Sequence, residues 1–240
     1  MKVLAINGSP RGEKGCTEKM LQPLLDGMRQ AGAETETIYL ANKKIHYCAG
    51  CLTCWTKTPG KCVFDDDMDF LMRKMVTADT IVFGTPLYYF TMSGLLKNFL
   101  DRTLPLALPF MEENENGVTA NQGRYSEKPS KMILVSPCGF PEKKHFDALI
   151  ATFKQIAQAG NSKYLGEILR PAAGMLAIDA MQPQLQSYYD LLKQAGQQLI
   201  INNVIDEKTH EALHQLFISP KDFLERTNKY FKSELDKIIL

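Results

Sequence analysis

Lys2-Val3-Leu4-Ala5-Ile6-Asn7-Gly8-Ser9-Pro10-Arg11-Gly12-Glu13-Lys14-Gly15-Cys16-Thr17 is the stretch that decides how this chain is read. An aliphatic run, Lys2 to Ile6, ends in a loop of Gly, Ser and Pro, and from about Thr17 apolar residues recur at helical spacing: Met20, Leu21, Leu24, Leu25, Met28. The pattern is strand, glycine-rich loop, helix. Ser9 and Thr17 bring hydroxyls to the loop, Arg11 a guanidinium, and the glycines let backbone N–H groups turn inward at a helix N-terminus, a combination suited to a phosphate dianion. No Gly-Lys-Ser/Thr follows, so this is not a Walker A loop. Glycines at positions 8, 12 and 15 also fail to make Gly-x-Gly-x-x-Gly, which disfavours a dinucleotide. The plain alternative is an ordinary strand-to-helix turn with polar caps.

Working outward, further strands are expected at Glu36 to Leu40, Ile81 to Phe83, Lys131 to Val135 and within Gly160 to Leu169. Between them come a helix carrying Met68, Leu71, Met72 and Met75, capped by Asp65 or Asp66, a helix from Leu95 to Leu100, and another from about Glu142 to Ala159. From about Gln184 the pattern is helical. Strands alternating with helices imply a doubly wound α/β sheet of five parallel strands, with helices on both faces and right-handed crossovers. Ligands of such sheets sit beyond the carboxyl ends of the strands, which nominates the loops after strands one, three and four. Pro105 to Pro129, with Asn114, Asn116, Gly117, Asn121 and Gly123, lacks periodicity and reads as a surface excursion; the whole, 1–240, reads as one domain.

Composition narrows the function classes. Of 240 residues, 45% are apolar, enough for one substantial core, and 28 basic against 27 acidic side chains leave a net charge of +1. Nucleic acid is not an expected partner of so balanced a chain. The longest uncharged stretch, Thr80 to Leu96, contains Gly84, Pro86 and Gly94 and falls short of a spanning helix. Val3 to Ile6 is too short for a signal h-region, so a cytoplasmic location without membrane attachment is expected. His46, His145, His210 and His214 are scattered, and no Gly-x-Ser-x-Gly elbow is present. Six cysteines in a cytoplasmic chain are not a disulfide framework, yet Cys48, Cys51, Cys54 and Cys62 crowd together, which calls for a metal or redox explanation.

Gly8-Ser9-Pro10-Arg11 with the following Thr17 resembles the phosphate loop of flavodoxin-like NAD(P)H-dependent FMN reductases. The resemblance extends to Gly84-Thr85-Pro86-Leu87-Tyr88-Tyr89, to Leu96-Lys97-Asn98-Phe99-Leu100-Asp101-Arg102, and to Cys48-x-Gly50-Cys51 followed by Asp65-Asp66-Asp67-Met68, over roughly residues 1–170. It implies a flavodoxin-like fold with FMN as cofactor, NAD(P)H as co-substrate and chemistry at flavin N5 without a catalytic side chain. Ser9, Arg11 and Thr17 would hold the phosphate, with the backbone of Cys16. Pro86, Leu87, Tyr88 and Tyr89 would wall the flavin edge, although aromatics here could also be core residues. Ser136, Cys138, Gly139 and Phe140 would line the ribityl chain or ring, with Cys138 a packed thiol rather than a nucleophile. The resemblance also suggests a homodimer or homotetramer. Lys97, Asp101 and Arg102 read as a helix-surface ion pair or an oligomer contact rather than as catalytic groups.

Cys48-x2-Cys51-x2-Cys54-x7-Cys62 is similar to the cysteine motif of iron–sulfur flavoproteins, in which a [4Fe–4S] cluster works beside FMN. A cluster, free or reversibly oxidised thiols, and a four-cysteine zinc site all remain open at this point. The leading expectation is an FMN-dependent oxidoreductase passing reducing equivalents from NAD(P)H to a quinone, flavin, nitro compound or redox protein. An iron–sulfur flavoprotein electron carrier is the second, and a non-catalytic flavodoxin-fold binding module, holding another phosphorylated ligand, is the alternative from a different class.

Overall fold

The computed structural model describes residues 1–113, 117–125 and 131–239. In chain order the elements are β1 (Lys2–Asn7), α1 (Cys16–Gln30), β2 (Glu34–Tyr39), a single-turn α2 (Thr53–Thr56), α3 (Met68–Thr77), β3 (Thr80–Gly84), α4 (Gly94–Asp101), β4 (Ala107–Glu113) and β5 (Thr119–Gly123). They continue as β6 (Lys131–Pro137), α5 (Asp147–Ala159), β7 (Lys163–Arg170), α6 (Gln182–Asn202), α7 (Glu207–His214) and α8 (Pro220–Ile239). Five strands form a parallel sheet in the order β2-β1-β3-β6-β7. This is the flavodoxin-like, doubly wound order, and its direction reverses between β1 and β3. The crevice therefore opens where Asn7 and Gly84, paired in register, end their strands.

Both faces of the sheet are covered, which is why its central strands read as continuous apolar runs rather than as alternating ones. Side chains alternate across the pleat: Leu4, Ile6, Ile81, Phe83 and Leu134 bury against α3, α4 and α5, through residues such as Leu71, Phe99 and Phe153. Val3, Ala5, Val82, Ile133 and Val135 bury on the other face against α1 and α6, through Leu21, Leu24, Leu192 and Leu199. Here α1 and α6 cross without room for a side chain. A Cβ at Gly27 would overlap the carbonyl of Lys193, and one at Gly196 would overlap the carbonyl of Leu24.

Three expectations gain detail. Within the surface excursion expected over residues 105–129, β4 and β5 pair antiparallel as a two-stranded sheet outside the main one. Its strands are largely exposed, so burial never imposes the alternation that marks a strand in sequence. Asn114, Asn116 and Pro129 lie outside the described residues. Of the two proposed caps of α3, Asp66 Oδ1 accepts from the Met68 amide at 3.1 Å, but its carboxylate has a larger task described below. The helix expected from Glu142 begins as a 3-10 turn, Lys143–Phe146, before α5. Among the described residues no helix is long and apolar enough to cross a membrane.

Candidate functional site

The loop after β1 is organised from beneath by Asn7, which is fully buried. Asn7 Oδ1 accepts from the Ser9 amide at 2.9 Å and its Nδ2 donates to Glu18 Oε2 at 2.9 Å. The other Glu18 oxygen accepts from the Tyr39 hydroxyl at 2.8 Å; burial and this bond push the Tyr39 pKa well up. From the side, Gly8 N donates to Gly84 O at 2.7 Å and Ser93 Oγ donates to Gly8 O at 2.5 Å, so the loop is tied to β3 and to the start of α4. The loop closes tightly: a Cβ at Gly15 would lie 2.6 Å from Ser9 Oγ, and Gly12 has φ +50°, a conformation that favours glycine. Thr17 is buried in the first turn of α1, and its hydroxyl has no hydrogen-bond partner. An unmet buried hydroxyl costs about 1–3 kcal/mol, so Thr17 is left with a hydrogen bond to give. Arg11 is exposed, with Nη2 3.8 Å from Cys16 Sγ, while the Cys16 thiol is turned toward Ala173 O at 3.4 Å.

The loops after β3 and β6 are joined to each other. Thr85 N donates to Val135 O at 3.0 Å, Leu87 N to Pro137 O at 2.9 Å, and the buried Ser136 hydroxyl to Thr85 O at 2.7 Å. Pro86 and Leu87 are thereby held on fixed backbone at the crevice. Tyr88 and Thr91 then bond each other in both directions around Tyr89 and Phe90, which take φ 49° and 63°. Two successive aromatic residues in the left-handed region are strained by of order 1 kcal/mol each, a cost that an unconstrained loop would avoid. The turn presents Tyr89 to solvent almost completely, 97% exposed. Behind it His145 lies between Phe90 and Phe140, at 5.7 and 4.7 Å, and so joins the rims of the two loops. Gly139 and Phe140 are exposed on that rim. Cys138 is placed differently from a lining residue: its side chain is buried in the core with Phe146 and Leu149, and burial raises its pKa. It can offer the crevice backbone only, and it is a packed thiol.

A second site lies in the segment between β2 and α3. Cys48 and Cys51 are exposed, Cys54 buried and Cys62 half-buried, and all four line one solvent-open pocket. Hydrogen bonds from the Thr53 side chain and amide lower the Cys51 pKa; burial and the neighbouring thiols raise that of Cys54. The thiols surround the cavity rather than meeting at a point. Among the described residues no three His, Cys, Asp or Glu side chains converge as ligands of a single ion would.

The segment is fastened to α4 and the residues after it. Trp55 Nε1 donates to Leu104 O at 3.1 Å, Asn98 Nδ2 to Ile45 O at 3.0 Å and Arg102 Nη1 to His46 O at 2.7 Å. Here the expectation for Arg102 is corrected. Lys97 and Asp101 do form an exposed pair at 2.7 Å, but Arg102 is 1% exposed and makes a two-point ion pair with the fully buried Asp66, at 2.8 and 3.1 Å. Asp66 also accepts from the His46 amide at 2.9 Å; although burial opposes its charge, these bonds hold its pKa far below the usual carboxylate range. Asp66 and Arg102 escaped sequence reasoning as a pair because each stands at the end of its own motif, with no spacing rule linking them.

Residues 1–153 match the family model described as NADPH-dependent FMN reductase. The chain is 42% identical over 117 residues to an iron-sulfur flavoprotein of Methanocaldococcus jannaschii, a match covering 49% of this chain and 59% of that one. It is also 42% identical over 105 residues to an iron-sulfur flavoprotein of Archaeoglobus fulgidus, covering 44% and 46%. The chain thus spans about half the length of the curated relatives it matches. Among solved structures, an FMN-dependent NADH-azoreductase from Bacillus anthracis in complex with FMN superposes with a TM-score of 0.61 at 17% identity, over 83% of this chain and 99% of that one. An NAD(P)H:quinone oxidoreductase from Methanothermobacter marburgensis gives 0.58 at 15% identity, over 83% and 98%. These likenesses concern the fold, whereas the family match spans all three loops at the carboxyl end of the sheet as well as the cysteine segment. The chain belongs to the NADPH-dependent FMN reductase family.

Proposed function

We propose that this protein is an FMN-dependent oxidoreductase that takes reducing equivalents from NAD(P)H and passes them to a quinone, flavin or similar acceptor. The observation that carries the reading is the Thr17 hydroxyl, buried and without a partner in a loop too tight for a Cβ at Gly15. Ser9, Thr17, Arg11 and the first-turn amides of α1, Cys16 among them, make one phosphate's worth of ligands and no more. Pro86 and Leu87, pinned to β6, supply a rigid wall for the ring, and Tyr88 and Tyr89 supply aromatic surface and amides at its edge. Ser136, the Cys138 backbone, Gly139 and Phe140 close the other side. Bound there, FMN would supply hydride exchange at N5, and the chain's own work is to hold, orient and partly desolvate it. A homodimer or homotetramer, with a second copy covering the exposed turn at Tyr89, and a cytoplasmic location belong to the same reading.

The test is flavin identity and reducibility. Heat-released flavin should be FMN at stoichiometric occupancy, and NADH or NADPH should bleach it anaerobically. Stoichiometric FAD, or a phosphorylated ligand without flavin, would overturn the reading, the latter in favour of a binding module.

The cysteine cavity favours a second, finer reading: an iron–sulfur flavoprotein in which Cys48, Cys51, Cys54 and Cys62 hold a [4Fe–4S] cluster. A single zinc ion needs its four ligands to converge at about 2.3 Å, whereas a cubane needs thiolates spread around a void, one to each iron. Four thiols around one cavity suit the cubane. Such a cluster would supply one-electron transfer. Iron and acid-labile sulfide should appear at about four each per chain after anaerobic reconstitution, and thiols that take up neither would remove the cluster.

A further inference from the structure

Among the described residues Arg102 is the one cationic side chain lining the cysteine cavity, where Asp101 also stands, and it is buried. Its guanidinium carries five N–H donors. Nη1 serves His46 O and Asp66 Oδ2, and Nη2 serves Asp66 Oδ1, while Nε, also buried, has no partner. The Phe64 ring lies 5.1 Å from the guanidinium carbon and is itself stacked on His46, so the side chain has little freedom to turn elsewhere. Asp66 is saturated by its contacts with Arg102, His46 and Met68. The Arg102 Nε–H remains unpaired, on a side chain that lines the pocket of the four thiols. Cys62 lies close enough to the guanidinium to interact with it.

We infer that Arg102 is a positioning residue for the sulfur site: its Nε–H donates to the sulfur shell of a [4Fe–4S] cluster held by Cys48, Cys51, Cys54 and Cys62, with Asp66 fixing the guanidinium and compensating its charge. The inference rests on the cluster reading above. Asp66 neutralises the pair at a distance, so the effect on the cluster comes from hydrogen bonding at close range, which stabilises the reduced, more negative state.

Two variants separate this role from scaffolding. Arg102→Lys keeps a cation opposite Asp66 and removes the Nε–H; the reduced cluster should become about tenfold less favoured, a shift of ~59 mV to more negative potential for a one-electron couple. Asp66→Asn keeps one acceptor for the guanidinium, with His46 O and Phe64 still holding it, and uncovers its charge, so the potential should move the opposite way. FMN content, read at a separate site, reports that each variant is folded. Where a variant fails to fold, the wild-type protein grown with ¹⁵N-arginine decides: pulsed electron paramagnetic resonance of the reduced cluster should show a coupled ¹⁵N nucleus. Absence of that coupling, or variant shifts that are nil or of the same sign, overturns the inference while leaving the cluster in place. Failure of the wild-type protein to take up iron and sulfide overturns the cluster reading and this inference together.

Discussion

Thr17 and Arg11 hold the same loop by different means, and substitution should separate them. Thr17 is buried with an unmet hydroxyl, and Arg11 is exposed. Thr17→Val keeps the volume and removes the unmet group, so the flavin-free protein should be as stable as the wild type or gain up to about 1 kcal/mol, while FMN affinity falls roughly tenfold to hundredfold. Arg11→Ala should leave stability unchanged and weaken FMN to a similar degree through loss of a charge-assisted bond. Fluorescence titration with FMN, alongside thermal melts of the flavin-free proteins, checks both; unchanged affinity in the two variants would move the phosphate elsewhere. The hydroxyls and the guanidinium are legible in the sequence because they follow one another along a single loop. The Arg102–Asp66 pair is not legible in that way, since its partners lie 36 residues apart and meet only through the packing of α4 against the cysteine segment.

At the scale of elements, the tightest constraint is the crossing of α1 and α6. Gly27 and Gly196 face backbone carbonyls, which cannot yield as a flexible side chain would. Gly196→Ala should therefore cost about 3 kcal/mol, the upper part of the range for overpacking, despite the better helix propensity of alanine. Gly94→Ala, at the start of α4 with nothing near its Cβ, is the control and should be neutral or stabilising. Urea denaturation of the two variants reads the difference, and equal midpoints would mean that the crossing is looser than described. Glycine inside a helix gives no hint in sequence of which carbonyl approaches it. The β4–β5 pair was unreadable for the opposite reason: nothing packs on it firmly enough to impose a pattern.

Across the whole molecule, α6 and α7 are locked to the sheet through Arg170. Its guanidinium, at the end of β7, stacks over Tyr188 of α6 at 4.0 Å and Phe217 at 4.7 Å, and donates to Leu213 O and Gln215 O at the end of α7. His214 sits beside this knot, with Nδ1 donating to His210 O at 2.6 Å and a buried, unpartnered Nε2. Burial, with repulsion from Lys143, His210 and Arg170, depresses its pKa from 6.5 to about 4. The folded state therefore rejects a proton that the unfolded chain accepts. Stability from this residue is complete above pH 6.5 and is lost as pH falls toward about 4, by about 3 kcal/mol at full extent. Chemical denaturation at pH 7.5 and 4.5 should show a smaller pH loss in His214→Gln than in the wild type; identical losses would mean that His214 carries no such burden.

Local and periodic features are legible from sequence: five strands alternating with amphipathic helices, a glycine-rich loop with two hydroxyls and an arginine, and four closely spaced cysteines. Strand and helix periods are imposed by the two-faced burial of the sheet, and a loop's ligands are neighbours in the chain, so both are written where they act. Only the packed fold decides that Arg102 is buried under the cysteine cavity with Asp66, and that α1 and α6 meet at bare backbone. Each of those depends on segments distant in sequence meeting across the fold, and no periodicity or spacing encodes which atoms they present to one another.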